Sequence, residues 1–158
     1  MLELTLRPVE DSDISRFEIW LNKEHILKYY HDADEWLNEI KERHGAFAFL
    51  NHFIVSANEI PIGFGQWYDC FNAKEEWYAV EKPNEVFSID YFIGEEDYLK
   101  KGYGKAIVKA LVELIKQQQP DARIIVQPEP ENTASGKALL ANGFIYDEDK
   151  QYYEKVLE

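Results

Sequence analysis

The chain has 158 residues, of which 46% are hydrophobic and 30% are charged, and this length suits one domain with a single core. Aromatic residues make up 15% of it, enough apolar surface to offset chain entropy, which excludes global disorder. Thirty acidic residues against 17 basic ones give a formal charge of -13. Such a surface repels phosphate backbones, so we expect no nucleic acid partner and a bias toward cationic small molecules.

Cysteine and histidine usage excludes two further classes. Cys70 is the single cysteine, so no internal disulfide can form, as expected in a reducing compartment. The histidines have no HExxH spacing, and we expect surface or loop positions and no metal site. Residues 1–8 lack the apolar run of a signal peptide, and no window reaches the roughly 18 apolar residues of a membrane helix. We therefore expect a cytoplasmic protein without a membrane partner.

The first half alternates between predicted strands and helices, followed by a charged, aromatic stretch over 72–84 that is typical of a long binding loop. Periodicity and turn residues predict a strand over 2–6 that ends at Pro8, then a helix that begins after N-caps at 11–13 and turns Phe17 and Trp20 inward. A second helix is predicted over about 34–40, with Gly45 as its stop. Strands over 53–55 and 62–68 follow, joined by a tight turn near Asn58 and Glu59.

The second half is more regular, and its alternation of strands and helices predicts a mixed α/β sheet. The same signals predict an apolar strand over 86–93 and a helix from about 104 that ends before Pro120. A short buried strand over 124–126 is followed by a helix that is capped by Asn132 and ends at Gly143. A hairpin over 144–146 and 152–156 closes the chain.

A basic, glycine-rich turn precedes the long helix. It reads Lys100-Lys101-Gly102-Tyr103-Gly104-Lys105. Glycines let a backbone approach a ligand closely, and the free N–H groups of a helix N-terminus attract anions. A phosphate site and an ordinary turn are both compatible with this pattern. The absence of a Walker ending and of GxGxxG argues against nucleotide hydrolysis and dinucleotide binding.

Asp90 lies inside an otherwise apolar strand directly before this turn. A charge there is costly unless it is paired or faces a cleft, which makes Asp90 a candidate functional group. The alternative is a solvated carboxylate, because Ser88 and Asp90 share one face of the strand.

Aromatic and acidic residues cluster at the end of the predicted strand over 62–68 and in the loop after it. They are Trp67, Tyr68 and Asp69, then Glu75, Glu76, Trp77 and Tyr78. Carboxylates beside aromatic faces suit a polyamine, through ion pairs and cation–π contacts. The alternative is a set of core aromatics flanked by a solvated acidic loop.

An ordered series of motifs spans nearly the whole chain. In order, it comprises Trp20-Leu21-Asn22, His25-Ile26, Tyr29-Tyr30, Pro61-Ile62-Gly63-Phe64, Ile89-Asp90, the glycine turn, Pro128-Glu129-Pro130-Glu131-Asn132 and Asn142-Gly143-Phe144. This series resembles the GNAT superfamily of acetyl-CoA-dependent N-acetyltransferases, and within it the aminoglycoside 6'-N-acetyltransferases. The resemblance implies a single domain over 1–158 with a mixed, mostly antiparallel sheet flanked by helices on both faces.

The resemblance also implies roles for individual residues. Asp90 matches the carboxylate that accepts the amine proton, and the backbone of Phe92 and Ile93 matches the strand that pairs with the pantetheine arm and polarises the thioester carbonyl. The remaining expected cofactor contacts are Lys100, Lys101, Gly102, Tyr103, Gly104, Lys105 and Asn132. The expected acceptor site comprises Tyr30, Trp67, Glu75, Trp77, Asp90 and Gln127.

Three positions depart from the family pattern. Leu99 replaces a Gln or Arg, Leu139 replaces a tyrosine thought to protonate the departing thiolate, and Gln127 replaces an acid at a strand end. We expect direct acetyl transfer rather than an acyl-Cys70 intermediate, because no histidine base is evident near Cys70 in sequence.

The leading functional hypothesis is an N-acetyltransferase acting on a polycationic small molecule, with an aminoglycoside as first choice, as a monomer or homodimer without a metal. Alternatives are acetylation of a siderophore precursor, a polyamine or a protein lysine, and a non-catalytic sensor that binds acyl-CoA.

Overall fold

A computed structural model describes residues 3–158 and contains, within them, seven strands joined in one sheet. The sheet order is β1-β2-β3-β4-β5-β7-β6, and every neighbouring pair is antiparallel except β4 and β5. The strands are β1 (Leu4–Pro8), β2 (Leu50–Ala57), β3 (Ile60–Asp69), β4 (Val86–Ile93), β5 (Arg123–Val126), β6 (Ile145–Asp147) and β7 (Tyr152–Val156). The predicted mixed, mostly antiparallel sheet is confirmed.

Helices cover both faces of this sheet, as predicted. They are α1 (Ile14–Leu21), α2 (Glu24–Leu27), α3 (Ala33–Lys41), α4 (Cys70–Ala73), α5 (Tyr103–Gln118) and α6 (Thr133–Ala141). The first three surround a core of Phe17, Trp20, Phe64 and Phe92. Helices α5 and α6 cover the larger core on the opposite face, which includes Leu111. The side chains on the two faces alternate along each strand, as the pleat requires.

Local signals located several element ends correctly. Asn58 and Glu59, both with positive φ (51° and 70°), form the turn between β2 and β3. The Asn132 side chain accepts a hydrogen bond from the Ser135 N–H (3.1 Å), and Gly143 follows α6 with φ of 86°. Each signal depends on residues within a few positions of the element end, so the sequence alone could identify it.

Other local predictions were wrong. Asp13 does not cap α1 with its side chain: it accepts from the Glu10 N–H (2.8 Å) and pairs with Arg7 of β1 (2.7 Å). Helix α3 ends at Lys41 rather than Gly45, and the short helices α2 and α4 were not predicted. The predicted start of the first strand at Leu2 lies outside the described residues.

The sheet opens between its two parallel strands. β4 has eight residues, but only Val86 and Phe87 pair with β5, opposite Arg123 and Ile124. Beyond Phe87, β4 continues alongside β3 alone, so its edge toward β5 is free of strand partners. This divergence creates a wedge in the middle of the sheet, and Asp90 lies beside it.

Candidate active site

Two cavities meet at the wedge. The first, which we call the wedge cavity, has about 240 Å³ and follows the free edge of β4, with Tyr30, Tyr91 and Asn132 in its wall. The second, the acidic cavity, has about 380 Å³ and lies between α3, β3 and the loop after α4. The lining residues common to both cavities are Trp36, Ile89, Asp90 and Gln127. Asp90 therefore faces both compartments rather than open solvent.

The environment of Asp90 suits a base that works near neutral pH. Burial raises the pKa of its carboxyl to about 7. A hydrogen bond from Gln66 Nε2 to Asp90 Oδ2 (2.8 Å) favours the carboxylate and partly offsets this rise. The carboxylates of Glu75 and Glu39 raise that pKa further through like-charge repulsion. A carboxyl with this pKa can accept a proton from a substrate at physiological pH.

The acidic cavity combines three carboxylates with aromatic walls. Glu39, Glu75 and Asp90 all line it, and no Lys, Arg or His occurs among its described lining residues. Burial raises the pKa of Glu39 to about 7, helped by the charges of Glu75 and Glu35. A cation entering this space would relieve the repulsion among the carboxylates.

Two aromatic residues orient Glu75 in this cavity. Tyr68 OH donates to Glu75 Oε1 (3.0 Å) and Trp77 Nε1 donates to Glu75 Oε2 (3.2 Å). The carboxylate is thereby held beside an indole that can contact a cation with its face. The structure brings Glu75, Trp77 and Asp90 together in one cavity, the grouping that the family resemblance had implied.

The free edge of β4 presents the backbone of Tyr91 and Ile93. The Gly94 N–H donates to the Ile62 carbonyl (2.7 Å), and the Phe92 carbonyl lies against Gly63 of β3. Since backbone groups alternate sides along an antiparallel pair, Phe92 bonds toward β3 and its two neighbours point toward the wedge. The backbone of Phe92, a predicted cofactor contact, therefore faces β3, whereas the backbones of Tyr91 and Ile93 face the wedge.

Side chains from the α2 region reach this edge. Tyr30 OH donates to the Tyr91 carbonyl, and His25 Nε2 lies 2.8 Å from the Ile93 carbonyl. Tyr30, which was predicted to belong to the acceptor site, lines the wedge cavity together with Asp90 and does not line the acidic cavity. Asn132 and Gln127 complete the opposite wall, where Gln127 Nε2 donates to the Gln151 carbonyl (3.0 Å).

The glycine turn forms the N-terminus of α5. Lys100 and Gly102 both adopt left-handed backbone conformations, with φ of 60° and 87°. Gly102 is the N-cap, so the first free N–H groups of a 16-residue helix follow it directly. The turn lies outside the two cavities that meet at Asp90.

Trp67 does not belong to the site. It alternates with Gln66 and Tyr68 along β3, so its indole lies on the opposite face, packed against Phe87 with ring centroids 5.9 Å apart. Its expected acceptor role is wrong because successive strand residues point to opposite faces. The same alternation places Gln66 on the face of the site, where it lines the acidic cavity, and Gln66 was not among the predicted site residues.

Glu39 and Trp36 were also missed. Both lie on α3 and line the acidic cavity. They carry no local signal, because only the packing of α3 over the sheet brings them to Asp90.

Cys70 is unsuited to nucleophilic catalysis. It is fully buried at the start of α4, and burial raises the pKa of its thiol far above the ordinary range. The reactive thiolate is therefore scarce.

Three comparisons with known proteins agree with this geometry. Residues 9–151 match the acetyltransferase (GNAT) domain family. Aminoglycoside N(6')-acetyltransferase type 1 of Klebsiella pneumoniae is 28% identical over 147 residues, covering 89% of this chain and 73% of the relative, and the enzyme of the same name from Serratia marcescens gives the same values.

Solved structures share the whole fold. The crystal structure of aminoglycoside acetyltransferase AAC(6')-Ib in complex with coenzyme A superposes with a TM-score of 0.83 at 25% identity, over 98% of this chain and 95% of that one. A structure of AAC(6')-Ib with paromomycin and acetyl-CoA has the same TM-score and identity, over 98% and 93% of the two chains. The fold and the wedge define an acetyltransferase, and the chain belongs to the GNAT family.

None of the helices within residues 3–158 has the length and apolar character needed to span a membrane. In the same residues, no group of three or more His, Cys, Asp or Glu side chains is arranged to hold a metal ion.

Proposed function

We propose that this chain transfers the acetyl group of acetyl-CoA to a primary amine of a polycationic small molecule, with an aminoglycoside 6'-amine as the first candidate. One observation carries the proposal: Asp90, with a pKa near 7, lies where a cavity along a free strand edge meets a cavity lined by three carboxylates. The first compartment suits an acyl donor and the second an amine acceptor.

The wedge has the groups that acetyl-CoA requires. A pantetheine arm carries amides, and the backbone N–H groups of Tyr91 and Ile93, whose carbonyls contact Tyr30 and His25, can offer them strand-like hydrogen bonds. An N–H on this edge would also stabilise negative charge developing on the thioester oxygen. The turn at Gly102 supplies a helix N-terminus for the pyrophosphate, with Lys100, Lys101 and Lys105 adding positive charge. Asn132 would contact the arm from the opposite wall.

Asp90 would activate the amine. An alkyl amine is mostly protonated at neutral pH and cannot attack a carbonyl until it loses a proton. The Asp90 carboxylate attracts the ammonium and then accepts its proton, directly or through one water. The pKa of about 7 places this group between the carboxylate and acid forms in the working range, which favours proton transfer in that direction.

The acidic cavity supports a substrate with more than one positive charge. Glu39 and Glu75 are additional carboxylates beyond the one that reacts, and each can hold a further ammonium beside Trp36 or Trp77. Aminoglycosides carry several ammonium groups on a compact frame. The relatives named for aminoglycoside acetylation and the complex with paromomycin support the same choice.

The test is a thiol-release assay with acetyl-CoA and a panel of amines. The panel contains aminoglycosides with and without a 6'-amine, spermidine, a hydroxylamine siderophore precursor and a lysine peptide. We expect turnover of 6'-amino aminoglycosides, and a fall of about 10²- to 10⁴-fold in Asp90→Asn. Preference for any other amine would reassign the acceptor. Tight acetyl-CoA binding without turnover of any amine would support the sensor alternative.

A further inference from the structure

His52, Gln66 and Asp90 form one row across three neighbouring strands. The register pairs His52 of β2 with Gln66 of β3, and Gln66 with Asp90 of β4. Residues directly opposite one another in antiparallel strands share a face, with Cβ atoms about 4.5–5.5 Å apart. Gln66 Nε2 donates to Asp90 Oδ2. Gln66 therefore lies between the proposed base and a histidine that faces neither cavity.

The two inner members of this row contain buried polar atoms without partners. Gln66 is 2% exposed and His52 is 6% exposed, which corrects the expectation that the histidines lie on the surface or in loops. Among residues 3–158, neither Gln66 Oε1 nor either ring nitrogen of His52 has a hydrogen-bond partner. An unpaired buried polar group costs free energy, so a contact between these two facing side chains would be favourable.

The surroundings keep the imidazole neutral. Burial lowers the pKa of His52 to about 4, and the positive charge of Arg43, after α3, lowers it further. Val9, directly after β1, donates its backbone N–H to the His52 carbonyl (3.1 Å), and the His52 ring packs on Phe64. A neutral imidazole has one N–H donor and one acceptor, and it can choose which nitrogen carries the proton.

We propose that His52 is a positioning residue for Asp90 that acts through Gln66: the two side chains face each other with unpaired polar atoms, and a turn of the ring lets its N–H donate to Gln66 Oε1 and hold the amide with Nε2 toward Asp90. Without that donor, the amide can turn and direct its oxygen toward the carboxylate, where two acceptors repel each other. The inference rests on the proposed function of Asp90 as the base. It makes His52 part of the machinery that sets the proton affinity of that base.

Asp90 titration is the direct readout, in ligand-free protein with ¹³C-labelled aspartate carboxyls. The variants are His52→Phe, which keeps a ring on Phe64, Gln66→Leu, and the double variant. The other titratable groups that interact with Asp90 are all retained: Glu39, Glu75, Tyr30, Tyr68, Tyr91 and Cys70. Ser56→Ala is the matched control, because Ser56 is another buried polar residue of β2.

We expect His52→Phe to raise the pKa of Asp90 by about one unit, because the hydrogen bond that favours its carboxylate is weakened. Gln66→Leu should raise it at least as much, and the double variant should match Gln66→Leu alone, since the effect of His52 passes through Gln66. Ser56→Ala should leave it unchanged. An unshifted pKa in folded His52→Phe, or shifts that add in the double variant, would overturn the proposal.

A second measurement uses the unaltered protein, in case His52→Phe does not fold. A solvent-protected ring N–H of His52 with a nuclear Overhauser effect to the Gln66 side chain is expected, and its absence contradicts the proposal. Neither readout requires turnover, so failure of the proposed acetylation is recognised separately. If acetylation holds, the acidic limb of kcat/KM for the amine should move with the pKa of Asp90, while the KM for acetyl-CoA stays constant.

Discussion

Asp90→Asn should make the protein more stable at pH 8 while removing most of its activity. The carboxyl of Asp90 has a pKa of about 7 in the folded protein against an ordinary value of 3.8, mainly because of burial. A group whose pKa is raised by folding stabilises the fold only while it stays protonated. The wild type therefore loses stability as the pH rises from about 4 to about 7 and does not regain it above pH 7. Asparagine has the same shape, can accept the Gln66 hydrogen bond and does not ionise.

The size of the effect follows from the shift. About three pKa units correspond to about 4 kcal/mol, of which about 3 kcal/mol falls between pH 5 and pH 8. Solvent reaches Asp90 through the two cavities and reduces this figure, so we expect a gain of about 2 kcal/mol at pH 8 relative to pH 5. For a chain of this length, that gain corresponds to roughly 4–8 °C in Tm.

The assay is urea unfolding of wild type and Asp90→Asn at pH 5 and pH 8, with acetyl-CoA absent. Asp149→Asn, a substitution at an exposed aspartate in the turn between β6 and β7, is the control and should show no pH-dependent difference. Parallel stability curves for wild type and Asp90→Asn across this range would refute the reasoning, because they would mean that Asp90 titrates normally in the folded protein.

Three further predictions address the donor site, the acceptor site and the thiol. Gly102→Val should weaken acetyl-CoA binding at least tenfold in calorimetry, because φ of 87° strains a β-branched residue. Gly45→Ala, whose Cβ would make only ordinary contacts with Glu42 outside the turn, is the control and should bind normally. Equal affinities would remove the turn from the donor site. Trp77→Ala should raise the KM for the aminoglycoside about tenfold and leave the KM for acetyl-CoA unchanged. Trp67→Ala should lower the free energy of unfolding by about 2–3 kcal/mol and leave both KM values unchanged. The opposite pattern would mean that Trp67, and not Trp77, faces the acceptor. Cys70→Ala should retain turnover, and a thiol reagent should not label the native protein; loss of activity in a folded variant would reopen an acyl-enzyme route.

Sequence periodicity determined most of the elements, because the burial of a strand or helix face leaves a regular pattern in neighbouring residues. The strand containing Asp90, the turn at Asn58 and the helix capped by Asn132 all follow from such patterns. The alternation of side chains along β3 also indicated that Trp67 and Gln66 point to opposite faces of the sheet. Asp90 stood out for the same local reason, as the only charge in an apolar strand.

Contacts between distant segments decided the rest. Asp13 could cap α1, but its buried carboxylate pairs instead with the partly exposed Arg7 once β1 lies beside it. Glu39 becomes part of the acidic cavity only when α3 packs over the sheet, and His52 reaches Asp90 only through the register of three strands. Burial and like charge then raise the pKa of Asp90 to about 7, a property of the assembled site. Hydrophobic period and caps act over a few residues, whereas proton affinity depends on every charge and solvent boundary that folding brings near the carboxyl.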